Sequence, residues 1–524
     1  MYRPHFITVE ETIRLLADDN ACLFDVRESG EAEKGHIALA IFLPRRQIEL
    51  RLAALVPDQD SHIVLYDDGG NDNRAALAAQ RIVEFGYRDV SVLQNGIEAW
   101  RSAGGKISTG SNVPSKEFGE TLASSVPSVP ADRLATWLDE GNVTICDIRT
   151  PEEFARARVP GASSMPSFEI AGRLGALSES KVPIVVNCAG RTRSIIACAT
   201  LRLLGVSDVF ALENGTMGWR LSNRELESGP ASINVDPPVG RDPLFEQIAT
   251  KLAAEAGIEP LTSADLESLL RHRGEGKLNA YAFDVRQLPD YIAGHIDGSQ
   301  GLPGGQAVQR ADEFVAIRKA PSVFIDSDEG RAAITAYWFV RMGYPRATYL
   351  KAGLNGWLAE GRRLVTGRGR QTPLGLAAAA ANTKFIDSAE LDNALRAGKP
   401  MLVLYVDNSR EYSDAHITKS EWLPRGSLER GIGALTTDKN IAIVLTCVSG
   451  IQSVFAADTL SRLGFIDVRV LKGGIKAWSE AGYNVETGLP VGVEKGSDIV
   501  LPPYARGTEG MNAYLEWEKA LPHG

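Results

Sequence analysis

Apolar and polar positions along residues 129–212 predict an alternation of helices and strands. Val129–Glu140 and Ile195–Gly205 are typical of helices, and the second ends at its glycine. Three apolar runs rich in valine and isoleucine lack a helical period and predict strands: Asn142–Arg149, Lys181–Asn187 and Val206–Leu212. Strands that alternate with helices indicate βαβ units, a parallel sheet and an α/β fold.

The same pattern recurs along the chain, and each copy ends with a glycine followed fourteen residues later by a tryptophan. These copies end at Gly86–Trp100, Gly205–Trp219, Gly343–Trp357 and Gly464–Trp478. A period above one hundred residues is too long for a solenoid repeat, so each copy is predicted to be a domain with its own core. We number them domain 1 (residues 1–108), domain 2 (127–228), domain 3 (258–366) and domain 4 (380–488), followed by a C-terminal tail (489–524).

A second, longer period overlies the first. Cys188 and Cys447 are 259 positions apart, and the same offset relates Trp219 to Trp478. The chain is therefore predicted to be a duplicated two-domain unit. The boundary between the two halves is expected near Ser228–Leu244, a stretch rich in proline and glycine.

Composition excludes several classes of protein. The chain of 524 residues carries a net charge of −10, which disfavours nucleic acid or an anionic membrane as a partner. No apolar stretch approaches the ~18 residues that a membrane span needs. Five scattered cysteines do not form a disulfide framework, so a cytoplasmic location is expected. The histidines lack zinc-like spacing, and no glycine-rich nucleotide loop follows a strand, so we predict no metal and no cofactor.

An Asp-x-Arg motif follows an early strand in three domains, and it is predicted to pin a loop by ion pairing. Its copies are Asp25–Arg27, Asp147–Arg149 and Asp284–Arg286. Eleven residues after each Asp stand His36, Arg158 and His295. Domain 4 keeps His416 but has Tyr405 and Asp407 in place of the pair.

The chemistry is decided by the loop after the second of the three predicted strands, which precedes a helix. This loop begins with Asp67, Cys188, Asp326 and Cys447 in domains 1 to 4. A cysteine between a strand and a helix start receives backbone N–H groups and the positive end of the helix dipole, and both favour the nucleophilic thiolate. In domain 2, Arg191 and Arg193 add positive charge, which favours the thiolate further and attracts an anionic substrate.

An inert, buried thiol is the alternative interpretation of each cysteine. It suits three cysteines that lie inside strand or helix patterns, namely Cys22, Cys146 and Cys198. It does not suit Cys188, because a polar loop with two arginines is not typical of a core.

Together, the Asp-x-Arg pair, the Gly-His-Ile turn, the Cys loop and the terminal Gly-x-x-x-Trp resemble the rhodanese sulfurtransferases over nearly the whole chain. The resemblance implies four rhodanese-like domains, each a parallel sheet flanked by helices. It also implies that Cys188 takes a sulfane sulfur from thiosulfate or a similar small donor as a persulfide and passes it to a thiol or cyanide. The implied substrate-binding residues are Ala189, Gly190, Arg191, Thr192, Arg193 and Ser194.

The sequence of this loop bears on two questions: whether the protein is a phosphatase, and which sulfur donor it uses. Phosphatases of the same fold have a loop one residue longer, with an arginine six positions after the cysteine; here Ser194 and Ser453 stand there, which disfavours a phosphatase. The cationic loop favours thiosulfate, or a small persulfide, over 3-mercaptopyruvate as donor. A non-catalytic persulfide carrier or binding module that delivers sulfur to a protein partner stays open as the competing class.

The remaining domains have different expected roles. Domains 1 and 3 have Asp67 and Asp326 in place of a nucleophile, and the resemblance implies that they are scaffolds for a neighbouring active domain. Cys447 has no loop cation and no Asp-x-Arg pair, so turnover and a residual or regulatory thiol both stay open for domain 4. In the tail, Thr508–Leu521 is predicted to form an amphipathic helix that docks on a domain of the same chain.

Overall fold

The structure is a computed structural model that describes residues 3–166, 168–229, 242–369 and 372–521. It contains four parallel sheets, and each lies inside one of the four predicted domain ranges. Helices flank every sheet, so the predicted α/β fold is confirmed.

The sheets of domains 1, 2 and 4 have five strands in one common order, in which the strands that come first and last along the chain within the sheet are neighbours. Written in spatial order, the domain 1 strands are His5–Ile7, Asp89–Leu93, His62–Tyr66, Ala21–Asp25 and Ile41–Phe42. Those of domain 2 are Ser128–Val129, Val209–Leu212, Ile184–Asn187, Thr144–Asp147 and Ser163–Ser164. Those of domain 4 are Lys384–Ile386, Val468–Leu471, Ala442–Thr446, Met401–Tyr405 and Glu421–Trp422.

Domain 3 has the same order without a regular first strand, whose place is taken by a single bridge between Leu261 and Leu350. Its strands in spatial order are Ala347–Tyr349, Ser322–Ile325, Tyr281–Asp284 and Gln300–Gly301. Domain 1 adds a small antiparallel pair, His36–Ile37 with Ile107–Ser108.

The helices connect the strands in each domain. In domain 1 they are Val9–Leu16, Ser29–Lys34, Ile48–Leu55, Arg74–Glu84 and Gly96–Ser102. In domain 2 they are Ala131–Asp139, Pro151–Arg156, Leu174–Ser178, Thr192–Leu203 and Gly215–Leu221. In domain 3 they are Ser263–Gly274, Leu288–Ala293, Gly304–Gln309, Ala311–Phe314, Gly330–Arg341 and Gly353–Ala359. In domain 4 they are Ser388–Arg396, Ser409–Asp414, Leu428–Leu435, Ile451–Arg462 and Gly474–Glu480.

Further helices begin outside the predicted domain ranges. One helix precedes each of domains 2, 3 and 4, and the tail carries the predicted C-terminal helix: Val113–Ala123, Pro243–Glu255, Leu376–Ala381 and Gly507–Lys519. Short 3-10 turns occur at Arg45–Gln47, Ala171–Arg173, Arg425–Ser427 and Pro503–Arg506. No helix in the described ranges has the length and apolar character that a membrane crossing needs.

The chain packs into two compact units that do not follow sequence order. Unit 1 combines domain 1 with domain 4 and ends at residue 501, whereas unit 2 combines domains 2 and 3 with the C-terminal helix. The sequence duplication relates domain 1 to 3 and domain 2 to 4, so homology and packing pair the domains differently. The boundary expected near Ser228–Leu244 lies within unit 2 instead of between units, and residues 230–241 of it lie outside the described residues.

Reciprocal ion pairs join the two domains of unit 1. Arg45 of domain 1 binds Glu429 of domain 4, and Arg425 of domain 4 binds Glu49 of domain 1 at 2.6 Å. Burial opposes ionisation of Glu49, yet the neighbouring Arg425 lowers its pKa. These pairs join segments that are more than 370 positions apart, so no local sequence pattern indicates them.

The two domains of unit 2 are joined by different contacts. The Trp338 indole of domain 3 donates to the Thr200 hydroxyl of domain 2 at 2.9 Å, and Arg331 of domain 3 binds Glu169 of domain 2. Each unit therefore pairs one domain whose loop begins with an aspartate with one whose loop begins with a cysteine. This arrangement is consistent with scaffold roles for domains 1 and 3.

The Asp-x-Arg motif has the predicted structural role. In domain 2 the Arg149 guanidinium donates to both oxygens of Asp147, at 2.9 and 2.6 Å, and also to the Ala157 carbonyl eight residues further on. Domains 1 and 3 repeat these contacts. The pair thereby fixes the loop that follows the strand.

Candidate active site

Cys188 lies at the carboxyl end of the central strand Ile184–Asn187, immediately before the helix Thr192–Leu203. Ligands bind at this edge of parallel sheets because strand ends and helix N-termini meet there. The Cys188 side chain is 2% exposed, and its Sγ lies 3.5 Å from the Ser194 hydroxyl oxygen. We call residues 188–194 the Cys188 loop.

The glycine four residues before each tryptophan is explained by a close approach to this loop. Gly215 begins the helix that carries Trp219, with a φ of +56°, and a Cβ there would stand 2.2 Å from the Cys188 carbonyl oxygen. The next residue, Thr216, donates its N–H to that oxygen at 2.9 Å. Because the two backbones touch, this helix supports the Cys188 loop directly.

We expect Gly215→Ala to destabilise unit 2 by about 2 kcal/mol, because it combines left-handed strain with a backbone clash. Gly205→Ala is the matched control, since Gly205 has a φ of +98° but open space around its Cβ position. Thermal unfolding followed by circular dichroism should show a larger fall in Tm for Gly215→Ala. Equal falls would contradict the steric explanation.

Arg193 brings a positive charge to the thiol but is already paired. Its guanidinium binds both oxygens of Glu153 at 2.8 Å. Burial opposes ionisation of Glu153, but Arg193 lowers its pKa to about 2. The pKa of Arg193 is raised against the effect of its own burial, first by Glu153 and then by the charge of Cys188. The guanidinium of Arg193 therefore lies close enough to Cys188 for their charges to interact.

Arg191 is paired in a similar way, with a residue that sequence reasoning left out. Its guanidinium binds Glu120 at 2.8 Å through two contacts, and Glu120 lies on the helix Val113–Ala123. The buried face of this helix consists largely of Ser115, Lys116, Gly119 and Glu120. Because these residues are not apolar, the helix has no hydrophobic period that would predict it. Both loop arginines thus have carboxylate partners, and their attraction for an anion is weaker than the sequence alone suggested.

The C-terminal helix docks on domain 2, over the Cys188 loop. Met511 and Leu515 pack with Met217 in one apolar cluster. On the loop side, Glu518 accepts hydrogen bonds from the backbone N–H and the hydroxyl of Thr192. The prediction that this helix docks on its own chain agrees with these contacts; that it covers the candidate active site was not foreseen.

The Cys447 loop, residues 447–453, has the same position in domain 4 but a different environment. Cys447 is 1% exposed, and its Sγ accepts the Gly450 N–H at 3.2 Å. Burial raises the pKa of the Cys447 thiol; hydrogen bonds from Ser453 and Gly450 oppose this shift, whereas the charge of Asp407 adds to it. Asp407 is the residue that replaces the arginine of the Asp-x-Arg pair.

Two arginines that the sequence analysis missed lie beside the Cys447 loop. Arg425 donates to the Gln452 side chain at 2.7 Å, and Gln452 in turn donates to the Arg46 carbonyl of domain 1 at 3.1 Å. Both guanidiniums bind carboxylates, Arg425 that of Glu49 and Arg46 that of Glu28. Arg425 ends a Leu-Pro-Arg segment that follows a short strand, and Arg46 directly follows the corresponding segment of domain 1; these segments were the available signal.

Because its pKa is raised, Cys447 should be mainly protonated near neutral pH. We expect its alkylation by iodoacetamide to rise roughly tenfold for each pH unit from 7 to 9, as the thiolate fraction grows. Peptide mass spectrometry of Cys188→Ser protein measures this rate, with N-acetylcysteine as the reagent control. A plateau below pH 8 would contradict it.

The aspartates of domains 1 and 3 occupy the position of the cysteine and bind the loop amides themselves. Asp67 accepts the N–H groups of Gly69 and Ala75 at 2.9 and 2.8 Å. Asp326 accepts those of Ser327 and Arg331 at 2.6 and 3.1 Å. A built-in carboxylate thus takes the donors that would otherwise face an anionic ligand.

Known proteins with similar sequences match all four domains. The family profile described as Rhodanese-like domain matches residues 8–103, 130–222, 265–360 and 387–481. A crystal structure of a thiosulfate sulfurtransferase from Pseudomonas aeruginosa has a TM-score of 0.87 at 33% identity, over 99% of this chain and 97% of that one.

Two curated relatives match over single domains. A putative thiosulfate sulfurtransferase of Mycobacterium tuberculosis is 32% identical over 123 residues, which is 21% of this chain and 42% of the relative. A sulfurtransferase of Allochromatium vinosum is 34% identical over 89 residues, 17% of this chain and 79% of the relative. This chain spans 26% to 42% of the length of the mycobacterial sulfurtransferases that it matches.

Proposed function

Because this chain belongs to the rhodanese family, we propose that it is a sulfurtransferase whose domain 2 carries a sulfane sulfur as a persulfide on Cys188. The observation that carries this proposal is the position of Cys188 at the start of the helix Thr192–Leu203, with Arg193 interacting with its charge. Positive potential at that point favours the thiolate. The proposed donor is thiosulfate or a similar small sulfane compound, and the proposed acceptor is a thiol or cyanide.

The proposed reaction has two steps. The Cys188 thiolate attacks the outer sulfur of thiosulfate, the S–S bond breaks, and sulfite leaves with the bonding electron pair. Cyanide then attacks the outer sulfur of the persulfide, which gives thiocyanate and returns the thiolate. Backbone N–H groups of residues 189–194 stabilise the persulfide and the leaving anion, as an oxyanion hole does.

Thiosulfate is preferred to 3-mercaptopyruvate as the proposed donor for two reasons. The relative from Pseudomonas aeruginosa is named a thiosulfate sulfurtransferase, and it aligns along nearly the whole chain. The Cys188 loop also carries two arginines, although both have carboxylate partners. All five cysteines are free thiols, which fits the reducing cytoplasm that we propose as the location.

Steady-state thiocyanate formation from thiosulfate and cyanide tests the proposal, with 3-mercaptopyruvate and glutathione persulfide as further donors. Turnover supports an enzyme. If Cys188 forms a persulfide but no donor and acceptor pair turns over, the protein is a sulfur carrier instead. A preference of tenfold or more for 3-mercaptopyruvate in kcat/KM would overturn the donor assignment.

A further inference from the structure

The C-terminal helix Gly507–Lys519 places charged and aromatic side chains against the Cys188 loop. Lys116 of the helix Val113–Ala123 makes cation–π contacts with it: its Nζ lies 5.1 Å from the centre of the Tyr514 ring and 4.8 Å from that of Trp517. Together with the apolar cluster of Met217, Met511 and Leu515, these contacts fix the helix on domain 2.

Glu518 is the residue of this helix that reaches the loop backbone. Glu518 is 1% exposed. Its Oε1 accepts hydrogen bonds from the Thr192 N–H, at 3.3 Å, and from the Thr192 hydroxyl. Oε2 is buried as well, and Tyr514 of the same helix lies close enough to interact with this carboxylate. Thr192 opens the helix after the loop, so the carboxylate occupies a backbone donor at the positive end of that helix.

The carboxylate also lies close to the centre of the loop. A Cβ on Gly190 would stand 3.3 Å from Glu518 Oε2 and 3.4 Å from the Tyr514 ring. Burial raises the pKa of the Tyr514 hydroxyl, and the charges of Glu518 and Cys188 raise it further. Tyr514 and Glu518 therefore both lie beside Gly190, two positions after Cys188 in the loop.

This position resembles that of Asp67 and Asp326, which bind loop amides from within their own domains. In domain 2 the carboxylate comes instead from a separate helix, and the thiol is kept. A negative group thus shares the loop with the nucleophile, and an incoming anion meets it at the same N–H donor.

We propose that Glu518 is a specificity-determining residue of the Cys188 site, whose charge lowers the reactivity of the site towards dianionic sulfur donors such as thiosulfate without excluding them. Thiosulfate competes with the carboxylate for the Thr192 N–H and is repelled by it, whereas a monoanionic thiosulfonate is disfavoured less. The donor part of this proposal rests on the proposed function, but the charge selection at the thiol does not require sulfur transfer.

Charge selection at the thiol is tested with two alkylating reagents of nearly equal size. Iodoacetate is anionic and iodoacetamide is neutral, and peptide mass spectrometry gives the rate of each at Cys188. We expect Glu518→Gln to raise the ratio of the iodoacetate rate to the iodoacetamide rate about tenfold, because the substitution keeps the hydrogen-bond acceptor and removes the charge. Glu516→Gln is the matched control, since Glu516 is exposed on the same helix and pairs only with Lys519 among the described contacts.

The second measurement compares donors. Glu518→Gln is expected to raise kcat/KM for thiosulfate about tenfold and for benzenethiosulfonate less than about threefold, since the repulsion scales with donor charge. In both cases the thiolate attacks the terminal sulfur, and sulfite or benzenesulfinate leaves with the electron pair. Tm values of the three proteins verify that the helix stays docked.

The outcomes separate this proposal from the proposed function. An unchanged alkylation ratio, equal rises for both reagents, or no labelling of Cys188 in Glu518→Gln would overturn charge selection. A raised ratio without turnover of any donor would support charge selection and overturn the sulfurtransferase proposal. Turnover with a donor preference that is the same in all three proteins would overturn the role of Glu518 alone.

Discussion

Cys188→Ser is expected to lower the rate of thiocyanate formation by at least about a thousandfold, because the substitution removes the nucleophile of the proposed persulfide step. Serine is nearly isosteric, and a hydroxyl at the same place keeps a polar neighbour for Ser194. The fold should therefore persist, which circular dichroism and an unchanged Tm would show.

The matched control is Cys447→Ser, which should retain most of the activity. Cys447 occupies the equivalent strand end, but its pKa is raised by burial and its own loop carries no cation. Thiosulfate treatment of the wild-type protein should add about 32 Da, one sulfur atom, to the peptide with Cys188. Label on the Cys447 peptide alone, with full activity in Cys188→Ser, would make domain 4 the active one.

Arg193→Ala is expected to lower kcat/KM for thiosulfate by between about fivefold and about 150-fold, as loss of one charge-assisted contact worth about 1–3 kcal/mol implies. Its guanidinium interacts with the charge of Cys188, and its removal also leaves the buried Glu153 carboxylate without its partner. An uncompensated negative charge near the thiol disfavours the thiolate. Steady-state kinetics with thiosulfate and cyanide measure the loss.

Arg191→Ala controls for general damage to the Cys188 loop. Arg191 stands two positions earlier and also binds a buried carboxylate, that of Glu120, and the charges that chiefly raise its pKa are those of glutamates, with Glu120 first. We expect a loss of less than about fivefold, since the guanidinium acts on the thiol only through the loop. Equal losses in the two variants would show that the arginines hold the loop and do not act on the thiolate.

The alternating pattern of strands and helices was sufficient to predict the fold of each domain. Buried strands such as Ile184–Asn187 are continuous apolar runs, and the glycine before each tryptophan marks a backbone contact that recurs in all four copies. The place of Cys188 follows from these elements, because a residue directly after a central strand lies at the edge where helices begin.

The partners of the loop were not predictable in the same way. Glu120 and Glu518 lie on helices whose contacts with the loop are polar, and they come from positions 71 and 326 residues away from their partners. Hydrophobic periodicity reports which face of an element is buried, not which distant carboxylate neutralises an arginine. For the same reason the offset of 259 residues revealed homology between domains but not the packing of domain 1 with domain 4.

The nested packing also imposes an order in time on the growing polypeptide. Domain 1 leaves the ribosome first, yet its packing partner in unit 1 begins only after residues 112–370 have been made. At about 5–20 residues per second, this interval is on the order of 15 to 50 s. During this interval Arg45 and Glu49 lack the side chains of domain 4 with which they later form ion pairs. Unit 2 meanwhile begins to assemble from consecutive chain, and Glu518 reaches the Cys188 loop only after residues 371–501 have also been made.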